Sequence, residues 1–406
     1  MPVSVSAPVI RPGLSRVRAA LGRLGHPEES FAAVLVAGTN GKGSVAALLE
    51  SALRVAGHRT GLYTSPHLVS CEERVRIDGR KIPAPSWTRL SRRARAAHPG
   101  LTEFELQTLI AFLWFAEAAV EIAVLEAGLG GRWDATNATP APEAAVITSI
   151  GHDHREWLGP TLRHIYREKR EIARPGTPLI QNVPRFLRAE SRRWAASAGV
   201  PVETLGVDFQ WISGRTTDGG EAFVPAPGVP PVRVPFRGRH QRDNALIAWR
   251  TLDVLRRRGW RIPDAAARRG FARARWPGRF DVIRRRPPVV VDGAHNVEAS
   301  EALARAWRDA HGRTRAAIVF GCLRDKDVGA MARALAPVAE RVVAVDLSTP
   351  RARPAAESAA AWPRRVPVET AAGFADAWTR VKNGPVLVTG SLYLAGDALN
   401  HFRRRP

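Results

Sequence analysis

Ala32-Ala-Val-Leu-Val-Ala37, running directly into Gly38-Thr-Asn-Gly-Lys-Gly-Ser44 and then into residues 45–56, decides the fold. The first six residues are a continuous apolar run of strand length, and residues 45–56 repeat apolar side chains at helical spacing. A strand, a glycine loop and a helix in that order turn backbone amides and a helix N-terminus toward an anion. Gly38, Gly41 and Gly43 let the backbone approach closely. Lys42 would neutralise the outer phosphates, and the Ser44 hydroxyl would reach a metal ion. The loop is a variant of G-x-x-x-x-G-K-[ST]. Val36 stands where the first glycine belongs, and Gly43 parts the lysine from the serine.

Outward from this unit, residues 14–24 read as a short amphipathic helix. Strands are predicted over 59–63, 122–126, 144–149 and 178–181, alternating with helices over 105–117, 162–172 and 189–198. That alternation predicts an α/β fold, a mainly parallel sheet with helices on both faces. Residues 208–237 are rich in Gly and Pro. The turn Asp218-Gly-Gly220 and the alternating Val232-Arg-Val-Pro-Phe236 predict a small antiparallel appendage there, followed by a helix over 244–258. After Pro277-Gly278 the cycle restarts, with strands over 289–292, 316–320, 341–345 and 386–389 and helices over 298–309, 329–339 and 373–381. The expected architecture is a P-loop-type domain over 1–284, carrying the appendage, and a smaller Rossmann-like C-terminal domain over 285–406.

Composition agrees. The 406 residues are 45% hydrophobic and 24% charged, room for two or three domains and unlike disordered, collagenous or coiled-coil chains. Cys71 and Cys322 have no zinc or redox spacing, which points to a reducing cytoplasm. Residues 1–13 hold Pro2, Pro8 and Pro12 without a sustained apolar core, against a secretory signal. The most apolar stretch, 110–129, is interrupted by Glu117, Glu121 and Glu126, against a membrane span. The net charge of +23 invites a nucleic-acid reading. Yet five lysines stand against 56 arginines, a chain-wide bias with no aromatic interleaving of the kind single-strand binders use. Against such a bias, a surviving lysine marks a place for a compact, deprotonatable amine. Lys42, Lys169 and Lys326 are singled out on that ground.

Beyond the phosphate loop, further motifs stand in order: Tyr63-Thr-Ser-Pro-His-Leu68, Glu126-Ala-Gly-Leu-Gly-Gly-Arg-Trp-Asp-Ala-Thr-Asn137 and Ile147-Thr-Ser-Ile-Gly-His-Asp-His154. Later come His240-Gln241 with Asn244, Pro277-Gly-Arg279, Asp292-Gly-Ala-His-Asn296, Asp325-Lys-Asp327 and Thr389-Gly-Ser-Leu-Tyr393. Together they resemble the folylpolyglutamate synthase/dihydrofolate synthase family of the Mur ligase superfamily, from about residue 14 to the C-terminus. The resemblance implies an ATP-dependent amide ligase that adds L-glutamate to dihydropteroate, and to reduced folates, through an acyl phosphate. It implies a cytoplasmic monomer that uses small-molecule substrates and two Mg2+ sites, and it leaves a monovalent cation open. One rival is another Mur-type amino-acid ligase, which would share the phosphate loop without needing residues 102–105 and 133–135. The other is a basic P-loop ATPase stimulated by nucleic acid.

The resemblance also implies roles. Metal positions are Ser44, Ser65, Glu126, His154 and a carbamylated Lys169. Glu126 stands out on its own terms as well, because it ends an apolar strand at the carboxyl edge where open sheets bind ligands. His152 is a rival to His154, and the Asp-His order at 153–154 favours His154. Lysine can lose its proton and add carbon dioxide where arginine cannot. Arg170 and Glu171 replace small residues of the family, and either pair or point outward. ATP contacts are Asn40, Gly41, Lys42, Gly43, Ser44, Asn244 on the adenine side, Arg279 on the phosphates and Asp292 on the ribose. His295 contacts nucleotide or orients the amine, and joins Lys42 and Lys169 as a catalytic candidate. Thr102, Phe104, Glu105, Trp133, Asp134 and Ala135 line the pterin pocket, although Phe104 and Trp133 read equally as core. Ser391 and the 325–327 loop are glutamate-side or closure contacts.

Overall fold

The computed structural model describes residues 11–217 and 219–403. Pro2, Pro8 and Asp218 of the predicted turn lie outside them. The first sheet has eight strands: β1 (Ala32–Ala37), β2 (Thr60–Tyr63), β3 (Val75–Ile77), β4 (Arg80–Lys81), β5 (Ile122–Glu126), β6 (Ala144–Ile147), β7 (Leu179–Gln181) and β8 (Val202–Thr204). Their order is β4-β3-β2-β5-β1-β6-β7-β8. Pairing is parallel from β2 to β8, and β3 and β4 add an antiparallel edge.

The central strands read as unbroken apolar runs because both faces are covered. Leu35, Ala37, Leu125 and Ile147 join one core with Leu109 and Phe112 of the helix Glu103–Glu117. Val34, Val36, Val124 and Val146 point the other way, onto Leu48 and Leu49 of the helix Lys42–Val55 and Leu252 of the helix Arg239–Arg257. Each fully buried Val or Leu contributes about 1.5–3 kcal/mol.

The appendage is the antiparallel sheet of β9 (Ser213–Thr217), β10 (Gly220–Val224) and β11 (Val232–Val234). A buried ion pair ties it to the helix Arg239–Arg257: Arg242 Nε lies 3.0 Å from Glu221 Oε2, and the Gly238 N–H donates to Glu221 Oε1 at 2.9 Å. Removing one partner of such a pair costs about 3–5 kcal/mol. The third sheet holds β12 (Asp281–Arg285), β13 (Pro288–Val291), β14 (Ala316–Phe320), β15 (Ala339–Val345), β16 (Val368–Ala371) and β17 (Val386–Thr389), in the order β12-β13-β17-β14-β15-β16. It is parallel except for the edge strand β12. β12 straddles the boundary read near residue 284.

Element ends shift for physical reasons. The helix Glu103–Glu117 starts two residues before the expected 105 because Thr102 caps it. The helix Val328–Leu335 ends early, since Pro337 supplies no N–H and the chain tightens into a 3-10 turn, Ala336–Val338. The helices Ala84–Ala97, Asp264–Arg273, Ala355–Ala360 and Leu392–Arg403, with the strands β3, β4, β8, β12 and β16, were not anticipated. No helix among the described residues is long and apolar enough to cross a membrane. The carboxyl ends of β1, β5 and β6 and those of β13, β14 and β17 carry the loops that meet across one cleft.

Candidate active site

That cleft has a volume of about 620 Å³ and is floored by the glycine loop. Gly41 has φ +88 and caps the helix Lys42–Val55. A Cβ there would be strained and would fall 2.4 Å from Asn244 Oδ1. Asn40 is pinned by Thr148 Oγ1 and Ser149 Oγ, which donate to its carbonyl at 2.7 and 3.0 Å. Lys42 Nζ folds back across the loop, donating to the carbonyls of Gly38 at 3.2 Å and Thr39 at 3.1 Å. The buried Ser44 Oγ has no hydrogen-bond partner among the described residues. A buried hydroxyl left unpaired is costly, and a bound cation or phosphate would satisfy this one.

Glu126, 4% exposed, ends β5 beside this hydroxyl's loop. Burial pushes its carboxyl up; the Lys42 charge and the Ser65 N–H, 3.2 Å from Oε2, pull it back. His154 is half-buried with φ +51. Loss of solvent lowers its imidazole to about 4, with Lys326, Lys42 and Lys169 acting in the same sense and Asp153 opposing. At neutral pH it keeps a lone pair for a metal. Lys169 is buried and donates from Nζ to the Gly38 carbonyl at 2.8 Å. Burial first, and Lys42 second, bring its amine down to about 7. Of the two alternatives for Arg170, pairing is the one seen: it lies 3.5 Å from Glu171, and instead of pointing outward its guanidinium packs over the Trp194 ring at 4.6 Å. Hydroxyls, a carboxylate and a neutral imidazole fit a hard divalent cation. His152 does not line the cleft; it is exposed, and its N–H donates to Glu298 at 3.0 Å.

Thr102, Phe104, Glu105, Trp133, Asp134 and Ala135 all border the cleft, in two different ways. Thr102 and Glu105 form a capping box: the Glu105 N–H donates to Thr102 Oγ1 at 3.3 Å, and the Thr102 N–H to Glu105 Oε2 at 2.7 Å. Arg16 holds the same carboxylate at 2.8 Å. Asp134 accepts from Leu129 N–H at 2.9 Å, and from Thr136 N–H at 3.0 Å and Oγ1 at 2.6 Å. These polar groups spend their hydrogen bonds shaping loops. Phe104 packs on Tyr63 at 5.9 Å and against Gly128, where a Cβ would fall 2.5 Å from its ring. Trp133 is 52% exposed and so is not core.

Trp157, 42% exposed, joins Trp133 on this wall and was not anticipated. Neither was Arg74, which donates to His67 Nδ1 at 3.0 Å and to Gln107 Oε1 at 2.7 Å. One more arginine in a chain so full of them carries no sequence signal.

From the C-terminal side come Arg279, Asp292, His295, Lys326 and Ser391. Asp292 accepts from the N–H groups of Phe280 at 2.7 Å and Ala294 at 2.8 Å. The Ser391 hydroxyl accepts from the Leu394 N–H at 3.0 Å. His295 Nδ1 donates to the Gly293 carbonyl at 2.8 Å, which leaves its Nε2 lone pair 4.0 Å from Asp153. Lys326 Nζ crosses to Asp153 Oδ1 at 2.6 Å. Burial pushes Asp153 up, but His154, Lys326 and His295 hold it well below the usual carboxylate range. Asn40 and Asn296 exchange amide hydrogen bonds of 3.2 and 3.0 Å across the cleft.

Known proteins are similar to this chain in sequence and in fold. The Mur ligase middle domain matches residues 36–252, and the Mur ligase glutamate ligase domain matches residues 278–392. The dihydrofolate synthase/folylpolyglutamate synthase of Bacillus subtilis is 35% identical over 413 residues, 96% of this chain and 94% of its own. Mycobacterium tuberculosis folylpolyglutamate synthase, solved with ADP and AMPPCP, superposes with a TM-score of 0.91 at 31% identity over 98% of this chain and 96% of that one. E. coli FolC, in complex with DHPP and ADP, gives 0.87 at 32% over 99% and 96%. The chain therefore belongs to the Mur ligases, within the dihydrofolate synthase/folylpolyglutamate synthase family.

Proposed function

We propose that this protein is an ATP-dependent ligase that joins L-glutamate to dihydropteroate and to reduced folates. The observation that carries the reading is the single cleft in which a glycine loop, a buried carboxylate and an aromatic wall face one another. Relatives solved with ADP, AMPPCP and DHPP support it. The acceptor carboxylate oxygen attacks the terminal phosphorus of ATP, the bond to the bridging oxygen breaks, and ADP leaves. The glutamate amine then attacks the acyl carbon, phosphate departs, and the amine gives up a proton.

Asn40, Gly41, Lys42, Gly43 and Ser44 cradle the phosphates. Asn244, placed against Gly41, takes the adenine side, Arg279 reaches the phosphates and Asp292 stands by the ribose. Ser44, Ser65, Glu126, His154 and Lys169, once carbamylated, would hold two magnesium ions. When bound, a divalent cation neutralises triphosphate charge and fixes the terminal phosphoryl group for in-line attack. Phe104, Trp133 and Trp157 offer apolar faces to a flat heterocycle; Thr102, Glu105, Asp134 and Ala135 hold that pocket's shape. The outward Nε2 of His295 positions the amine and receives its proton. Ser391 and Lys326 stand on the glutamate side.

We further propose a cytoplasmic monomer divided near residue 284, with β12 assigned to the C-terminal domain. Its free Cys71 and Cys322 support the compartment. The test is ADP release with ATP, Mg2+ and glutamate, with dihydropteroate or tetrahydrofolate added separately. Release with a UDP-sugar acid instead would favour another Mur-type ligase. Release driven by DNA or RNA and lost steeply with salt would favour the nucleic-acid ATPase.

A further inference from the structure

Gly41 needs its glycine for a positive φ, but Gly43 does not. It lies in the first turn of the helix Lys42–Val55, and its φ is not positive. What stands in the place of its side chain is an indole. A Cβ at Gly43 would fall 2.6 Å from Trp276 Nε1 and 2.7 Å from its Cε2 and Cζ2. Trp276 belongs to the connection between the two large sheets, after the helix Asp264–Arg273 and before β12.

That helix is itself seated on the phosphate-loop helix. A Cβ at Gly270 would fall 2.4 Å from Ala52 Cα, and Ser51 Oγ donates to the Gly270 carbonyl at 2.7 Å. The Arg76 guanidinium lies 5.7 Å from the centre of the Trp276 ring. Pro277 stiffens the next step, and three residues after the indole Arg279 enters the cleft. Three residues span at most about 11 Å, so a shift of the ring has little slack in which to be lost.

We propose that Trp276 is a positioning residue of the ligase reaction. Seated on Gly43, it registers the interdomain connection on the phosphate loop and so sets where Arg279 meets the triphosphate. The role rests on the ligase reading; the contact beneath it is testable by nucleotide binding alone.

The experiment compares Gly43→Ala, Trp276→Ala, the double variant and Trp276→Phe by ADP titration calorimetry and by kcat and KM for ATP. Gly43→Ala should weaken ADP binding roughly tenfold or more, the scale of overpacking at a fixed site. Adding Trp276→Ala should return affinity to within about threefold of Trp276→Ala alone, the mark of two residues in contact. Trp276→Ala should bind ADP nearly normally but lose about tenfold or more in kcat, as misplaced reacting groups do, and Trp276→Phe should retain most of it. A double variant that binds ADP no better than Gly43→Ala would overturn the contact. Trp276→Ala with wild-type kcat would overturn the positioning role. Failure of the ligase reading would appear elsewhere, as wild-type protein that forms no ADP with either acceptor.

Discussion

Lys42 and Lys169 share one acceptor, the Gly38 carbonyl, at 3.2 and 2.8 Å. Two ammonium groups crowd there in a buried place, and the deeper one gives up its proton more easily. Lys42 is the residue proposed to face the triphosphate, so Lys42→Ala should lower kcat by about a hundredfold to a thousandfold, the scale of losing a preorganised electrostatic contact. Lys169→Ala should be inactive and recover with short carboxylates in the buffer. Lys169→Arg should not recover; full activity in that variant would exclude the carbamate. The pH dependence has a definite sign. Between the ordinary 10.5 and about 7, the unfolded chain protonates the Lys169 amine and the folded chain does not. Stability therefore falls as pH falls through that window and levels off below it. In bicarbonate-free buffer, the urea midpoint of the wild type should drop across the window relative to Lys169→Met, and added bicarbonate should flatten the difference.

Among the elements, the helix Glu103–Glu117 and the loop after β5 shape the cleft wall proposed to take the acceptor. Thr102→Ala removes the cap and should cost about 1 kcal/mol, read as a lower Tm. Because Phe104 sits on that first turn, KM for dihydropteroate should rise as well, and an unchanged KM would detach the cap from the pocket. The central strands and the glycine loop were legible because continuous apolar runs and glycine spacing have few alternative readings. The helix Ala84–Ala97 was hidden, since it buries only Leu90, Ala94 and Ala97 and fills its other faces with arginine and polar residues. β16 buries only Ala371 of its four residues, so it shows little pattern. In the site, Lys42, Glu126 and Lys169 could be singled out by rarity or by place on a strand. Trp157 and Arg74 could not, because their value comes only from the cleft they share.

At the scale of the whole molecule, the C-terminal unit meets the first sheet's loops through Lys326 on Asp153, Glu298 on His152 and the Asn40–Asn296 pair. Lys326→Met leaves Asp153 without its closest cation, and Asp153→Asn leaves Lys326 without its closest anion. Each should lower kcat, and the double variant should be less impaired than the sum of the two, because they remove one contact. Additive losses would mean that the two act separately. The asparagine pair has a different consequence. Each amide satisfies the other bond for bond, and water can do the same for both once they part, so unfastening leaves no stranded polar group. Such a clasp fixes the register of the two units while adding little net stability to the seam between them.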